Sequence, residues 1–122
     1  MLVSHFLEQD EIKRNGDFKP AALLPSRTLR TSVFRTDDVA EARIWEIADA
    51  EVVAKRTDRV ISIHGRAEMR DSAISAAGLA LDPRIPEREA HADIIGWPAE
   101  VDERLDRALA IREAGAYLRL RA

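Results

Sequence analysis

The side chains best suited to chemistry near neutral pH in this 122-residue sequence are three histidines and a few arginines. Imidazole gains and loses a proton near neutrality, and guanidinium stays charged and grips oxyanions through paired donors. These groups fall in four short polar and aromatic islands, at residues 4–6, 32–35, 64–66 and 91–98. They predict where a site would lie, but not which reaction, if any, takes place there.

His5 and His91 are the candidate acid and base, and Arg35, Arg66 and His64 are the candidate anion-binding groups. His64 and Arg66 fall where a predicted strand leads into a predicted helix, and the free N–H groups of a helix start favour an anion. Arg66 would reinforce that pocket, with His5 and His91 flanking it and Arg35 neutralising charge. Such a site would suit a phosphate or nucleotide without a metal or cofactor.

Ordinary structural roles are the alternative for each of these residues. A histidine at a strand end usually forms a local hydrogen bond, and an arginine at a helix start usually pairs with a carboxylate such as Glu68 or Asp71. Metal binding is disfavoured, because the histidines show no ligand spacing and the sequence has no cysteine. Trp97, held extended before Pro98, could line a pocket, face a partner protein or cap the core.

Composition limits the class of protein. Hydrophobic residues make up 46% and charged residues 34% of the sequence, which indicates one globular domain over residues 1–122. No apolar run suits a membrane helix, no secretion signal is recognisable and cysteine is absent, so a cytoplasmic location is expected. A net charge of −3 disfavours nucleic acid and leaves a small anion or a protein as partner.

Apolar spacing predicts three helices. The first begins at Asp37-Asp38, whose side chains suit a helix start. Its buried stripe comprises Ala40, Ile44, Ile47, Ala48 and Val52. The second covers 99–114, and the third covers 67–77 before Gly78. The second helix has the predicted buried row Val101, Leu105 and Leu109. Residues 6–15 form a weaker helix candidate.

Strands are predicted at 21–24, 29–34, 60–64, 79–81, 91–95 and 116–120. Together these elements predict an α+β fold, in which two to three helices pack on one face of a single mixed or mainly antiparallel sheet. The charged connector over 82–89 would form the rim of the site. The strand at 116–120 could lie at an edge and pair with a second copy, giving a homodimer.

The order of the islands resembles that of a group of short, uncharacterised bacterial proteins. The resemblance rests on Ser4-His5-Phe6, Ser32-Val33-Phe34-Arg35, Glu46, Gly65-Arg66-Ala67, Gly78-Leu79 and the run His91 to Pro98. It implies a small bacterial cytosolic domain and carries no activity, cofactor or catalytic residue. His64 lies outside the shared pattern, which favours His5 and His91 as the imidazoles of interest.

Overall fold

The computed structural model describes residues 1–83 and 90–122, and these residues form one six-stranded sheet with helices on it. The strands are β1 (Leu2–Leu7), β2 (Thr31–Arg35), β3 (Gly65–Arg70), β4 (Ala80–Asp82), β5 (His91–Ile95) and β6 (Tyr117–Leu120). The helices are α1 (Glu41–Ala48), α2 (Asp71–Ala76) and α3 (Val101–Glu113). All five strand pairings are antiparallel, so the predicted α+β class is confirmed.

The strand order is β4-β5-β2-β1-β3-β6, which makes β1 a central strand and β6 an edge strand. No strand was predicted at β1, and the weaker helix candidate over 6–15 is wrong, because Leu2–Leu7 is a strand and Gln9–Glu11 is only a short 3₁₀ helix. Val3 and Leu7 are buried on one face of β1 and Phe6 on the other. A strand buried on both faces lacks the simple alternation of apolar and polar residues, so its pattern is hard to recognise.

Two apolar layers cover the sheet. Val33 and Ile94 belong to the larger layer, together with residues of α2 and α3. Phe34 belongs to the smaller layer, which includes Ile44 and Trp45 of α1. Because neighbouring residues of a strand point to opposite faces, α1 lies on the face opposite α2 and α3. The prediction placed all helices on one face, and the structure distributes them over two.

The inward face of α3 differs from the predicted one. Val101, Leu105 and Leu109 are 67%, 48% and 36% exposed, whereas Ala108 and Ile111 are buried. Two arginines also lie toward the protein and donate to backbone carbonyls outside the helix. They are Arg107, which bonds Ala77 O at 2.9 Å, and Arg104, which bonds Pro98 O at 2.8 Å. The buried row was predicted wrongly because a count of apolar residues does not recognise arginines that pack by their stems.

The predicted elements between residues 60 and 77 are displaced along the sequence. Residues 61–64 form an irregular segment whose Ile61 and Ile63 are buried, β3 follows, and α2 begins only at Asp71. Arg66 therefore lies within a strand, so the predicted helix start beside it is absent. The predicted strand at 21–24 is a 3₁₀ helix, Pro20–Leu23.

The first predicted helix is confirmed at α1, where Ile44, Ile47 and Ala48 are buried as expected. It begins at Glu41 rather than at Asp37-Asp38, and a π-helical turn, Asp49–Val53, continues it. Most of the predicted rim over 82–89 lies outside the described residues. Within the described ranges, no helix combines the length and apolar character that a membrane span requires.

Candidate functional site

Two histidines from distant parts of the sequence meet at Ser32 of β2. His5 of β1 places its Nδ1 atom 2.8 Å from the backbone oxygen of Ser32. His91 of β5 places its Nε2 atom 2.8 Å from the Ser32 hydroxyl. The sheet thus brings both predicted acid–base residues to one serine that the sequence analysis had not singled out.

The contact with His5 depends on how β1 and β2 pair. Their register contains two residue pairs, Val3 with Arg35 and Ser4 with Phe34, whereas β2 pairs with β5 at four positions. At His5, the next residue, β1 no longer pairs with β2. The imidazole of His5 instead bonds a backbone oxygen of β2. Because a carbonyl oxygen can only accept, His5 Nδ1 carries the hydrogen and donates it to Ser32 O.

His91 has two polar neighbours at one ring nitrogen. Its Nε2 atom lies 2.8 Å from Ser32 Oγ and 3.3 Å from Asp93 Oδ1. Ser32 and Asp93 are directly opposite in the register of β2 and β5, and Phe34 is opposite His91, with the two ring centroids 5.3 Å apart. Nε2 can accept from the serine hydroxyl when unprotonated, and it can donate to the carboxylate when protonated.

Arg30 binds the other oxygen of the Asp93 carboxylate. Its Nη1 atom donates to Asp93 Oδ2 at 3.0 Å and to Asp82 Oδ2 at 2.8 Å. Asp82 and Asp93 face each other across β4 and β5, so the guanidinium separates two carboxylates that would otherwise repel. The hydrogen bonds that Arg30 donates, to Asp82 first and to Asp93 second, raise the pKa of Arg30 above its ordinary value.

A cleft of about 500 Å³ opens at this cluster. Its polar wall includes His5, Ser32, His91, Asp93 and Arg56, and its apolar wall includes Phe6, Val52, Ile61 and Ile63. This volume lies within the range of pockets that hold small molecules. The arrangement offers a hydroxyl, two imidazoles and an apolar surface to the same guest.

The charged groups around the cleft differ in how firmly they are held. Glu8 binds the guanidinium of Arg59 through both oxygens, at 2.9 and 3.0 Å. Arg56 pairs with Asp58, whose side chain is 65% exposed. Exposed pairs of this kind contribute little stability, so Arg56 can exchange its partner for a ligand at small cost.

Arg66 is far more engaged than predicted. Its buried guanidinium binds Glu41 through both terminal nitrogens and Glu68 at 3.1 Å, and it stacks over Trp45 at 5.0 Å. Burial disfavours its charge, but the hydrogen bonds that it donates to Glu41 and Glu68 outweigh that effect and raise the pKa of Arg66. Pairing with Glu68 is the structural alternative that the sequence analysis had left open, and Arg66 does not join the histidines.

Three other predicted site residues lie apart from Ser32. Ser32 and Phe34 are two residues apart in β2 and share a face of the sheet. Arg35, the next residue, therefore points to the opposite face. His64 is exposed beside a separate concavity that it shares with Ser62 and Arg59. Trp97 is 5% exposed and donates from Nε1 to Ile94 O, so it belongs to the core rather than to a pocket or partner surface.

The sequence analysis missed Ser32, Asp93, Asp82 and Arg30 as a connected group. Ser32 and Asp93 stood inside recognised islands in predicted strands, Ser32 between Thr31 and Val33 and Asp93 between Ala92 and Ile94. That signal marks them as neighbours of a buried layer, but only the register makes them direct partners. Among the described residues, no cluster of three or more histidine, aspartate or glutamate side chains is arranged to hold a metal ion.

Comparison of the sequence and structure with family models, with curated proteins and with solved structures returned no match, so the candidate site stands on its geometry alone.

Proposed function

We propose that the protein binds a small oxyanion, of the phosphate or nucleotide type, in the cleft at Ser32. The observation that carries this proposal is the meeting of His5 and His91 at Ser32, with both contacts at 2.8 Å. Protonated imidazoles and a hydroxyl are donors suited to phosphate oxygens. The absence of cysteine from the sequence is compatible with a cytoplasmic setting for this function.

Each carboxylate that lines the cleft already accepts a hydrogen bond, Glu11 from the backbone N–H of Glu8 and the other two from arginines. Arg30 holds Asp93, and Arg59 holds Glu8. Arg56, with its exposed and weakly held partner, is the guanidinium best able to reach a ligand.

Ser32 has a defined part in this binding. When Nε2 of His91 is protonated, it donates to Asp93 and Ser32, which leaves the hydroxyl hydrogen of Ser32 available to an oxyanion. His5 already uses Nδ1 on the backbone, so only its Nε2 can donate to a ligand.

An amide NMR titration with inorganic phosphate, followed by adenosine monophosphate, tests the proposal. The expected shifts saturate and cluster at His5, Ser32, His91 and Arg56. Ser32→Ala is expected to weaken binding about tenfold, which corresponds to loss of one hydrogen bond to a charged group. Ser62→Ala, an exposed serine outside this cleft, is the matched control. Shifts that do not saturate, or that Ser62→Ala changes as much as Ser32→Ala, would contradict the proposal.

A protein-interaction role is the second candidate, and the edge strand β6 favours it. Tyr117 is 42% exposed and Leu120 is 63% exposed on this strand. A free edge can pair with a strand of another molecule, including a second copy. Sedimentation velocity at several concentrations would detect the homodimer, and Leu120→Lys would abolish it. A monomer at all concentrations would contradict pairing between copies.

A further inference from the structure

We infer that Ser32 is a nucleophile and His91 its general base, so that the cleft hydrolyses small carboxylic esters. The inference goes beyond ligand binding and does not depend on it. Its basis is the 2.8 Å contact between Ser32 Oγ and His91 Nε2, at the wall of an open cleft. A hydroxyl within hydrogen-bond reach of an imidazole that a third group orients is the arrangement that activates serine.

Asp93 stabilises the imidazolium that the proton transfer forms. Asp93 Oδ1 lies 3.3 Å from the same nitrogen, Nε2, that would receive the proton of Ser32. Before transfer, Nε2 accepts from the hydroxyl; after transfer, the new N–H donates to the carboxylate. This differs from the familiar serine–histidine–aspartate order, in which the carboxylate bonds the other ring nitrogen. Arg30 acts as a positioning residue, because it holds Asp93 Oδ2 at 3.0 Å.

The reaction balances without any further reagent than water. Ser32 Oγ forms a bond to the carbonyl carbon, and its proton passes to His91 Nε2. The bond to the leaving alcohol then breaks, and the alcohol takes that proton. Water next adds to the acyl-serine and gives a proton to His91, which returns it to Ser32 as the carboxylic acid leaves.

The surroundings of Ser32 suit an ester. Phe6, Val52 and Ile63 provide an apolar wall for an acyl or alkyl group. The backbone carbonyl of Ser32 faces β1, where it accepts from His5, and the N–H of the same residue lies on the same edge of the strand. That N–H is a donor adjacent to the nucleophile and can bind the negative oxygen of the tetrahedral intermediate.

A fluorophosphonate ester tests the nucleophile directly. Ser32 Oγ attacks phosphorus, fluoride leaves, and the proton passes through His91 to solvent. Intact mass spectrometry of the folded protein is expected to show one adduct, and peptide mapping should place it on Ser32. Ser62 is exposed and lies outside this cleft, so Ser62→Ala is the control and leaves the rate unchanged.

Variants separate chemistry from structure. Ser32→Ala should remove the adduct, and His91→Gln, which cannot act as a base, should slow labelling about a hundredfold or more. Asp93→Asn should shift the pH profile of labelling, which a merely structural role would not do. Release of p-nitrophenol from p-nitrophenyl acetate gives the turnover readout.

The inference is overturned if folded wild-type protein forms no adduct at Ser32, or forms it no faster than urea-unfolded protein does. Either result needs no variant to fold. Phosphate binding without labelling would retain the proposed binding function and remove the hydrolytic one. Labelling of Ser32 without phosphate binding would retain the hydrolytic function and remove the proposed binding function.

Discussion

The cleft at Ser32 and the buried cluster around Arg66 lie on the same face of the sheet and are built from similar residue types. One cross-strand row runs His91, Phe34, Ser4, Glu68 and Tyr117 from one side of the sheet to the other. The row thus has an imidazole near one end and a carboxylate bonded to a tyrosine hydroxyl at the other. Aromatic rings separate the two polar groups, since Phe6 and Phe34 pack 5.5 Å apart between them.

The two regions differ in how their polar atoms are satisfied. Arg66 is sealed by Glu41, Glu68 and the ring of Trp45, and its side chain is only 4% exposed. Ser32 and His91 bond each other at the wall of an open cleft, where a guest can replace or extend their contacts. An arginine near aromatic residues is therefore no evidence of a site by itself. Access for a ligand decides between the two roles.

The largest expected effect concerns stability at the buried cluster. Arg66→Ala removes one partner of a buried ion pair and leaves Glu68, 9% exposed, without its closest cation. Breaking such a pair costs about 3–5 kcal/mol of unfolding free energy. Urea unfolding followed by circular dichroism measures it. Arg56→Ala, at an exposed pair beside the cleft, should unfold close to wild type, and equal losses in both variants would erase the distinction between the two regions.

A smaller loss is expected at the cleft from Asp93→Ala. This substitution removes a carboxylate that accepts a hydrogen bond from Arg30, and bonds to charged groups contribute about 1.5–3 kcal/mol. The same urea measurement applies. Asp82→Ala removes the more exposed of the two carboxylates that Arg30 bridges and should cost less. A greater loss for Asp82→Ala would show that Asp93 does not depend on Arg30.

Ser32→Ala should separate function from stability. Its half-buried hydroxyl is worth at most about 1 kcal/mol to folding, because a neutral hydrogen bond contributes about that much. Ligand shifts and covalent labelling, by contrast, should fall sharply. The comparison requires both measurements on one sample of the variant. A large loss of unfolding free energy would show that Ser32 is a structural residue of the core, as Arg66 is. The cleft and the Arg66 cluster would then not differ in role.

The smallest effect concerns acid. The hydrogen bond from Arg66 holds the pKa of Glu41 below its ordinary value of 4.5. Since the folded state binds the proton less readily than the unfolded state, the ionised carboxyl stabilises the fold above that pH and loses its contribution as the pH falls. Glu41→Gln should therefore flatten the acid dependence of the urea midpoint. Because Glu41 is 61% exposed, the change should stay below about 1 kcal/mol.

Glu46→Gln, on the exposed side of α1, is the control for that acid measurement. This substitution should leave the acid dependence of the urea midpoint close to that of the wild type. Equal flattening in both variants would indicate general charge effects rather than the contact between Arg66 and Glu41.

Local pattern was enough to predict several elements. The apolar spacing that predicted α1 depends on neighbours within one element, and the predictions of α1 and of the strand at 91–95 agree with the structure within a few residues. The α+β class followed from them. His5 and His91 were selected from residue type and from the resemblance that leaves out His64.

Tertiary structure decided the rest, because its causes lie outside any single element. Only the register of β2 with β5 sets Ser32 opposite Asp93, and only the end of pairing between β1 and β2 gives His5 access to Ser32 O. The inward face of α3 likewise depends on carbonyls that its arginines meet elsewhere. Residue chemistry and local periodicity are written in the sequence, whereas which polar atoms meet, and whether water or a guest can reach them, is fixed by packing between distant segments.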